Sequence, residues 1–252
     1  MKKNKIALTT SLIFTLLLIP KTVYAMHIAE GFLPMKWAGF WTVLAVPFLI
    51  ISVKKVNNIL KDEDPGIKML LALAGAFIFV LSSLKLPSLT GSCSHATGIG
   101  LGAILFGPWP MVLLGTIVLI FQALLLAHGG ITTLGANLFA MAIVGSFVAH
   151  FMFKISRKVG TPVWFSIFLA ASLSDFFTYI TTAGQLAAAF PESSGFMAAL
   201  FKFLSVFAFT QIPLAIVEGL LTVLVFNIIQ EYSKNELDEL SIISRRKRHE
   251  LS

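Results

Sequence analysis

The amino-acid sequence predicts an all-α protein that crosses a membrane several times. Of its 252 residues, 57% are hydrophobic and only 12% are charged, and the mean hydropathy is +0.88. A soluble domain carries about 25% charged residues. Several windows of roughly twenty residues contain little or no charge, which is typical of membrane-spanning helices. We therefore expect a polytopic membrane protein with a single membrane domain.

The net charge of +7 fits a membrane location as well. The basic residues cluster at the N-terminus and in short segments between or after the apolar runs: MKKNK, VKKVNNILK, FKISRKVG and RRKRHE. Cytoplasmic loops of membrane proteins are enriched in Lys and Arg in this way, so no nucleic-acid partner is indicated. The single cysteine, Cys93, excludes an internal disulfide and any paired-cysteine metal or redox motif.

Residues 1–25 have the three parts of a secretory signal peptide. A basic start, MKKNK, is followed by an apolar stretch of about fifteen residues, too short for a spanning helix, and then by KTVYA. The small side chain of Ala25 suits a signal peptidase. Cleavage after Ala25 would leave a mature chain that begins at Met26 with a free amine outside the cytoplasm. The alternative is an uncleaved first transmembrane helix.

The mature chain contains seven apolar runs, which predict about seven transmembrane helices. They cover residues 37–53, 67–86, 97–107, 109–127, 131–153, 161–190 and 196–230. An odd number of crossings places the basic loops and the basic tail, residues 231–252, in the cytoplasm. The third run is short, so we expect one helix within residues 97–127 to be short or re-entrant and buried against protein.

This topology puts three of the five histidines, His27, His95 and His128, at the outer face. A mature chain that begins Met26-His27 offers a metal three nitrogens: the amine, the next backbone amide and the His27 imidazole. The α-amine loses its proton at little cost, because its pKa is about 7.7–8.0. One more imidazole would complete a four-nitrogen site that suits Cu(II) or Ni(II) and also accepts Co(II).

His95 is the best candidate for the fourth nitrogen. His128 has three possible roles: a supporting partner of the ligands, a ligand on the way into the site, or an ordinary histidine at a helix end. We favour the supporting role. Three more polar residues, Glu30, Ser94 and Thr97, are candidates to orient the ligands or to tether the N-terminal segment. With four nitrogens in place Cys93 has no coordination position, so we interpret it as non-ligating.

Four segments carry a resemblance to a known family: MHIAEGFLP, LKLPSLTGSCSHATGIGLGAILFGPWP, FQALLLAHGGITTLGANLFAMAIVG and QIPLAIVEGLLTV. Together they resemble the CbiM family, the substrate-capturing S components of energy-coupling factor (ECF) cobalt transporters. The likeness covers nearly all of the chain from residue 26. The nickel-specific NikM family is closely similar, but GSCSHATGIG favours the cobalt branch.

The resemblance implies an S-component-like helical bundle over residues 26–230. It also implies a metal site made of the Met26 amine, the His27 amide and imidazole, and His95. It further implies Co(II) import into the cell for cobalamin biosynthesis, with a small membrane subunit (CbiN), a coupling membrane subunit (CbiQ) and an ATPase (CbiO). No GxxxxGK[ST] motif occurs in the chain, so we expect ATP hydrolysis on a separate partner and no enzyme cofactor here.

Two other features concern residues inside the apolar runs. Ala72 and Ala76 have the small-xxx-small spacing that lets helices approach closely, so they are candidates for a partner-helix contact or for packing within this chain. Asp175 and Glu218 each cost about 2.5–3.5 kcal/mol to insert and are functional by default. They could form a polar network that supports the loops, pair with Gln122, Asn137 or Gln185, or be protonated and act as neutral hydrogen-bonding groups.

Three alternatives to a cobalt-capture subunit stay open at this point. One is the same role for Ni(II), since nitrogen ligands do not separate the two ions and the Irving–Williams order would favour nickel. Another is an intramembrane metalloenzyme, which would need an HExxH-type pair that the sequence lacks. The third is a secondary permease, for which the expected inverted repeats are not visible.

Overall fold

The computed structural model describes residues 27–87 and 93–240 of the chain. The predicted signal peptide, with Ala25, and Met26 lie outside these residues, as does the tail from residue 241. The described helices are α1 Met35–Asp62, α2 Pro65–Ser83, α3 Ile99–Phe106, α4 Pro108–Leu125, α5 Leu134–Val159, α6 Val163–Ala189, α7 Phe196–Tyr232 and α8 Lys234–Glu239. Two short antiparallel strands, β1 Leu86–Pro87 and β2 Cys93–Ser94, lie between α2 and α3.

Within the described residues, six helices are long and apolar enough to cross a membrane: α1, α2, α4, α5, α6 and α7. Each of the seven apolar runs in the sequence coincides with one helix. The all-α membrane fold is therefore confirmed, and the protein is a multi-pass membrane protein.

The helix of the third run, α3, differs from the others in length and surroundings. Its eight residues span about 12 Å, whereas the hydrocarbon core of a bilayer is about 30 Å thick. All of its residues from Ile99 to Leu105 are buried. It enters the bundle at Gly98, whose left-handed φ of 69° and close approach to Ile78 leave no room for a side chain. The expected short helix buried against protein is thus α3.

Between residues 27 and 240 the described chain passes seven times between two ends of the bundle, and α3 makes one of these passages. One end, which we call the histidine end, carries His27 before α1, His95 before α3 and His128 after α4. Gly107, between α3 and α4, lies instead beside His150. Both residues line a cleft of about 460 Å³ at the opposite end. The described residues 27–240 therefore make an odd number of passages, as the charge pattern predicted for the mature chain.

Helix α1 buries only a narrow stripe of side chains. In α1 the buried residues are Ala38, Ala45, Ser52 and Val56, and their spacing of seven and four residues places them on one face of a helix. The Ser52 hydroxyl donates to the Trp109 carbonyl (2.5 Å) and accepts from the Leu113 amide (2.8 Å). This contact fixes α1 against the start of α4.

The helix α5 contains an irregular middle section. Residues Leu138–Gly145 adopt a π-helical conformation between the α-helical segments Leu134–Asn137 and Ser146–Val159. The Ser174 hydroxyl of α6 donates to the Gly145 carbonyl at 2.8 Å, so the neighbouring helix satisfies a carbonyl at the end of this section. Sections of π-helix within α-helices are frequently found at functional sites.

Candidate metal centre

Three histidines that are far apart in sequence meet at the histidine end. The ring centroids are 4.4 Å apart for His27 and His95, 4.8 Å for His27 and His128, and 4.7 Å for His95 and His128. One ring nitrogen from each residue lies within 4.8 Å of the other two. All three side chains are at most 2% exposed. Among the described residues this is the one group of His, Cys, Asp or Glu side chains close enough to hold a metal ion.

The imidazoles present lone pairs rather than charges. The His95 Nδ1 lies 2.9 Å from the Ala96 carbonyl, so it carries the proton that is donated there, and Nε2 is left as the ligand atom. Burial lowers the pKa of His95 to about 4 and that of His128 to about 2. Burial, followed by the proximity of His95 and His128, holds the pKa of His27 well below its usual value. The rings are therefore neutral near pH 7, which is the form that binds a metal.

The segment that follows His27 is held by the start of α5. The Ile28 amide donates to Asn137 Oδ1 at 2.8 Å, and Asn137 Nδ2 donates back to the Ile28 carbonyl at 3.0 Å. Thr133 Oγ1 donates to the same carbonyl at 2.7 Å. Both polar groups of the Ile28 backbone are thus satisfied by two side chains one helical turn apart. They fix the backbone immediately after His27.

The next residues lie along the loop that follows His128. The Glu30 amide donates to the Gly129 carbonyl (3.2 Å), and the Gly31 amide donates to Thr132 Oγ1 (3.0 Å). The Glu30 carboxylate accepts from the Thr132 amide at 3.2 Å. Glu30 therefore tethers the N-terminal segment, but it does so on an exposed loop rather than at the imidazole rings.

Gly130 makes this approach of the two segments possible. A Cβ at this position would lie 2.4 Å from the Glu30 Cα and 2.7 Å from its amide nitrogen, closer than backbone atoms tolerate. We expect Gly130→Ala to displace the N-terminal segment, to lower the affinity for a metal ion at the three histidines and to destabilise the protein by about 1–3 kcal/mol. Calorimetric titration and thermal melting in detergent would measure both effects.

Gly39→Ala is the matched control for this substitution. Gly39 lies in α1, and a Cβ there would meet no atom within 4 Å, so affinity and melting temperature should stay near those of the wild type. A Gly130→Ala protein that binds a divalent metal ion as tightly as the Gly39→Ala protein would contradict this role of the N-terminal segment.

The loop that carries His95 is held by a buried acid from α7. The Glu218 carboxylate accepts three hydrogen bonds, from the Thr97 amide (2.6 Å), the Thr97 hydroxyl (2.8 Å) and the Gly98 amide (2.8 Å). The two amides lie at the start of α3, where backbone donors have no partner within the helix. An acceptor carboxylate at a helix N-terminus is also favoured by the helix dipole.

Asp175 of α6 belongs to the same polar network through Gln211. The Gln211 side-chain amide donates to Asp175 Oδ2 at 2.6 Å and lies 3.4 Å from the His95 carbonyl. Both intramembrane acids therefore support the His95 loop, one directly and one through Gln211. The other pairing considered from the sequence, with Gln122, Asn137 or Gln185, is wrong. Those amides bond to Ser82, to Ile28 and to the Ala136 carbonyl, respectively.

The residues that build this site all lie within a region that is similar to a known protein family. The family model described as CbiM, cobalt uptake substrate-specific transmembrane region, matches residues 27–236. The chain belongs to the CbiM family. The match begins at His27 and includes both loops that carry the other two histidines.

Curated CbiM relatives cover nearly the whole chain. A cobalt transport protein CbiM from Acetohalobium arabaticum is 64% identical over 244 residues, which are 97% of each chain. One from Moorella thermoacetica is 56% identical over 237 residues, 94% of this chain and 91% of that protein. A solved structure described as a transition metal transporter superposes with a TM-score of 0.72 at 28% identity, covering 82% of this chain and 94% of its own. The CbiM fold of this chain is thus that of a transition metal transporter.

The remaining residues that the sequence indicated occupy different places in the CbiM fold. Ser94 exchanges a hydrogen bond with Thr210 of α7 at 2.7 Å, so it supports the loop rather than a ligand. His150 lies at the opposite end, with its Nδ1 3.3 Å from the Ala103 carbonyl, and is not part of the cluster. Ala72 and Ala76 are both exposed on α2. That position leaves them accessible to a partner helix.

Proposed function

We propose that this chain is the substrate-capturing S component of an ATP-driven ECF transporter that imports Co(II) for cobalamin biosynthesis. The observation that carries the proposal is the buried group of three neutral histidines at the histidine end of the bundle. Membership in the cobalt-transporting CbiM family supports the choice of ion. ATP would be hydrolysed on a CbiO-type partner, with CbiQ- and CbiN-type membrane subunits completing the complex.

In the proposed site four nitrogens hold the ion: the Met26 amine, the His27 amide, the His27 imidazole and the His95 imidazole. The first three close adjacent five- and six-membered chelate rings from two residues, with almost no loop entropy to lose. Two contacts support this arrangement. The hydrogen bonds between Asn137 and the Ile28 backbone fix the chain next to the His27 amide. The His95 tautomer leaves its Nε2 lone pair available to bind the ion.

The proposal requires export and cleavage. Signal peptidase would cut after Ala25, and the mature N-terminus with its three histidines would face the outside of the plasma membrane. The odd number of passages then puts the tail, residues 231–252, in the cytoplasm. Ions would be captured outside and released inside after the ATPase drives a reorientation of this subunit. The exposed Ala72 and Ala76 are our candidates for the helix face that meets the coupling subunit.

The mature N-terminus tests this proposal most directly. Intact-mass measurement of the protein purified from membranes is expected to give a chain that begins at Met26 with an unmodified amine. A flexible Gly/Ser extension placed before Met26 should then remove the amine from the site and weaken Co(II) binding by more than about 100-fold, because even supporting residues of metal sites contribute 10–100-fold.

Two results would contradict the proposed ligand set. One is a mature chain that keeps residues 1–25 or carries an acetyl group on Met26. The other is unchanged Co(II) affinity in the extended protein. Competition between Co(II) and Ni(II) in the same titration decides the ion, and a preference for Ni(II) beyond that expected from the Irving–Williams order would assign nickel as the substrate.

A further inference from the structure

The backbone around His128 is shaped so that this side chain turns inward. The Gln122 carbonyl accepts from the amides of both Leu126 (3.0 Å) and His128 (3.1 Å). Helices commonly end with a left-handed residue at the first position after the C-cap, which turns the chain away from the helix axis. Here that residue is Ala127, with φ of 46°, and it is the one non-glycine residue with positive φ among those the structure describes.

The left-handed conformation of Ala127 costs roughly 1–2 kcal/mol, because its Cβ crowds the following carbonyl. Glycine would have avoided this cost, and glycine is the usual residue at such a cap. The turn places His128 in the protein interior. The His128 side chain is only 2% exposed, although it follows an exposed helix end.

His128 is buried without hydrogen bonds. Neither its Nδ1 nor its Nε2 has a partner within residues 27–87 and 93–240. An unsatisfied buried polar group costs about 1–3 kcal/mol, and buried histidines normally donate at least one N–H. A histidine that only filled space at a helix end would be replaced by an apolar side chain of similar size without loss.

The nearest groups to these nitrogens are the other two imidazoles. The His128 ring is 4.8 Å from that of His27 and 4.7 Å from that of His95, with interplanar angles of 80° and 71°. Edge-to-face rings of this kind can direct nitrogens toward a common point. Zinc–imidazole bonds are about 2.0–2.1 Å long, so two nitrogens on such an ion are about 4.2 Å apart when they lie opposite each other and about 2.9 Å apart at a right angle. One nitrogen of each histidine lies within 4.8 Å of the other two, so the rings must move closer together to share an ion.

We propose that His128 is itself a ligand of the transported ion, so that the site holds three imidazoles. The inference rests on the proposed function and extends its ligand set. With the amine, the amide, His27 and His95 supplying four nitrogens, His128 adds a fifth. With His128 as a ligand, the three imidazoles could bind the ion before the amine and the amide lose their protons.

X-ray absorption of the Co(II)-loaded mature protein tests this directly, because multiple scattering from imidazole rings counts them. We expect three imidazoles in the wild type and two in His128→Leu, with Co(II) affinity lowered more than about 10-fold in the variant. Two imidazoles in the wild type would overturn the inference, and this measurement does not depend on the folding of any variant.

The stability of the metal-free protein separates a ligand from a structural histidine. Because the His128 nitrogens have no partner among the described residues, His128→Leu should melt at the wild-type temperature or higher without metal, and it should lose much of the stabilisation that added Co(II) gives the wild type. A variant that melts lower without metal but keeps the full Co(II) stabilisation would overturn the proposal. His150→Leu, at the opposite end, is the control and should keep three imidazoles.

The N-terminal extension separates this inference from the proposed function. If the extended protein keeps its full affinity and three imidazoles, the amine ligand is wrong and His128 is right. If the extension weakens binding while His128→Leu leaves the affinity and the imidazole count unchanged, the amine ligand is right and the inference about His128 is wrong.

Discussion

Replacing His27 or His95 by alanine is expected to abolish high-affinity Co(II) binding. Each substitution removes an imidazole from a buried site, and His27→Ala also removes the ring that closes the second chelate with the backbone amide. Removal of a supporting residue costs a metal site 10–100-fold in affinity, so loss of either ligand should exceed about 100-fold, or about 2.8 kcal/mol. Isothermal titration of the mature protein in lipid nanodiscs would measure this loss.

His150→Ala is the matched control, since it removes an imidazole from the same chain at the opposite end of the bundle. Its ring lies in the cleft beside Gly107, and Co(II) affinity should stay within about threefold of the wild type, the usual context-dependent scatter of surface substitutions. If His150→Ala weakened binding as much as His95→Ala, the assignment of the two ends would be wrong.

The helical framework of this protein could be predicted from the sequence because hydropathy determines membrane spans directly. A run of apolar residues must form a helix in lipid, where every backbone donor and acceptor needs an internal partner. The short α3 could be anticipated too, because Gly107-Pro108 interrupts residues 97–127 before two full spans are possible. Parity then placed His27, His95 and His128 at one end.

Most of the side-chain contacts that build the site could not be predicted. The hydrogen bond between Ile28 and Asn137 joins residues 109 positions apart in the sequence. The hydrogen bond between Thr97 and Glu218 joins residues 121 positions apart. Hydropathy contains no information about such pairs. One feature of the sequence does indicate a polar contact here. Thr133 and Asn137 are polar residues four positions apart at the start of an apolar run, which places both on one face of a helix.

The sequence favoured a supporting role for His128 and, for a similar reason, could not predict its inward position. A histidine after a helix end is usually a capping or solvated residue. The inward turn here depends on a left-handed Ala127, which no propensity favours. Where local preference and structure disagree in this way, the cause is often a functional constraint.

The second large effect is expected at Glu218, which does not contact the histidine rings. Glu218→Ala would remove the acceptor for three hydrogen bonds and leave the amides of Thr97 and Gly98 buried without a partner. Each such group costs about 1–3 kcal/mol, and the loop would move to regain partners. Because His95 is two residues before Thr97, we expect Co(II) affinity to fall at least about 10-fold, the range for residues that orient ligands, together with a lower melting temperature.

Two further variants distinguish positioning of His95 from general stabilisation. Glu218→Gln keeps one acceptor oxygen for the Thr97 hydroxyl and the Gly98 amide but turns an NH₂ group toward the Thr97 amide, so it should lie between Glu218→Ala and the wild type in both affinity and stability. Asp175→Asn also removes one acid from the same network, but it retains an oxygen that can accept from Gln211. The Co(II) affinity of this variant should remain close to that of the wild type.

The comparison of affinity with melting temperature decides the role of Glu218. A Glu218→Ala protein that melts at a lower temperature but binds Co(II) with wild-type affinity would show that Glu218 stabilises α3 without positioning His95. The affinity order Asp175→Asn, Glu218→Gln, Glu218→Ala, from strongest to weakest, would instead locate the effect in the hydrogen bonds that fix the His95 loop rather than in the charge of the membrane interior.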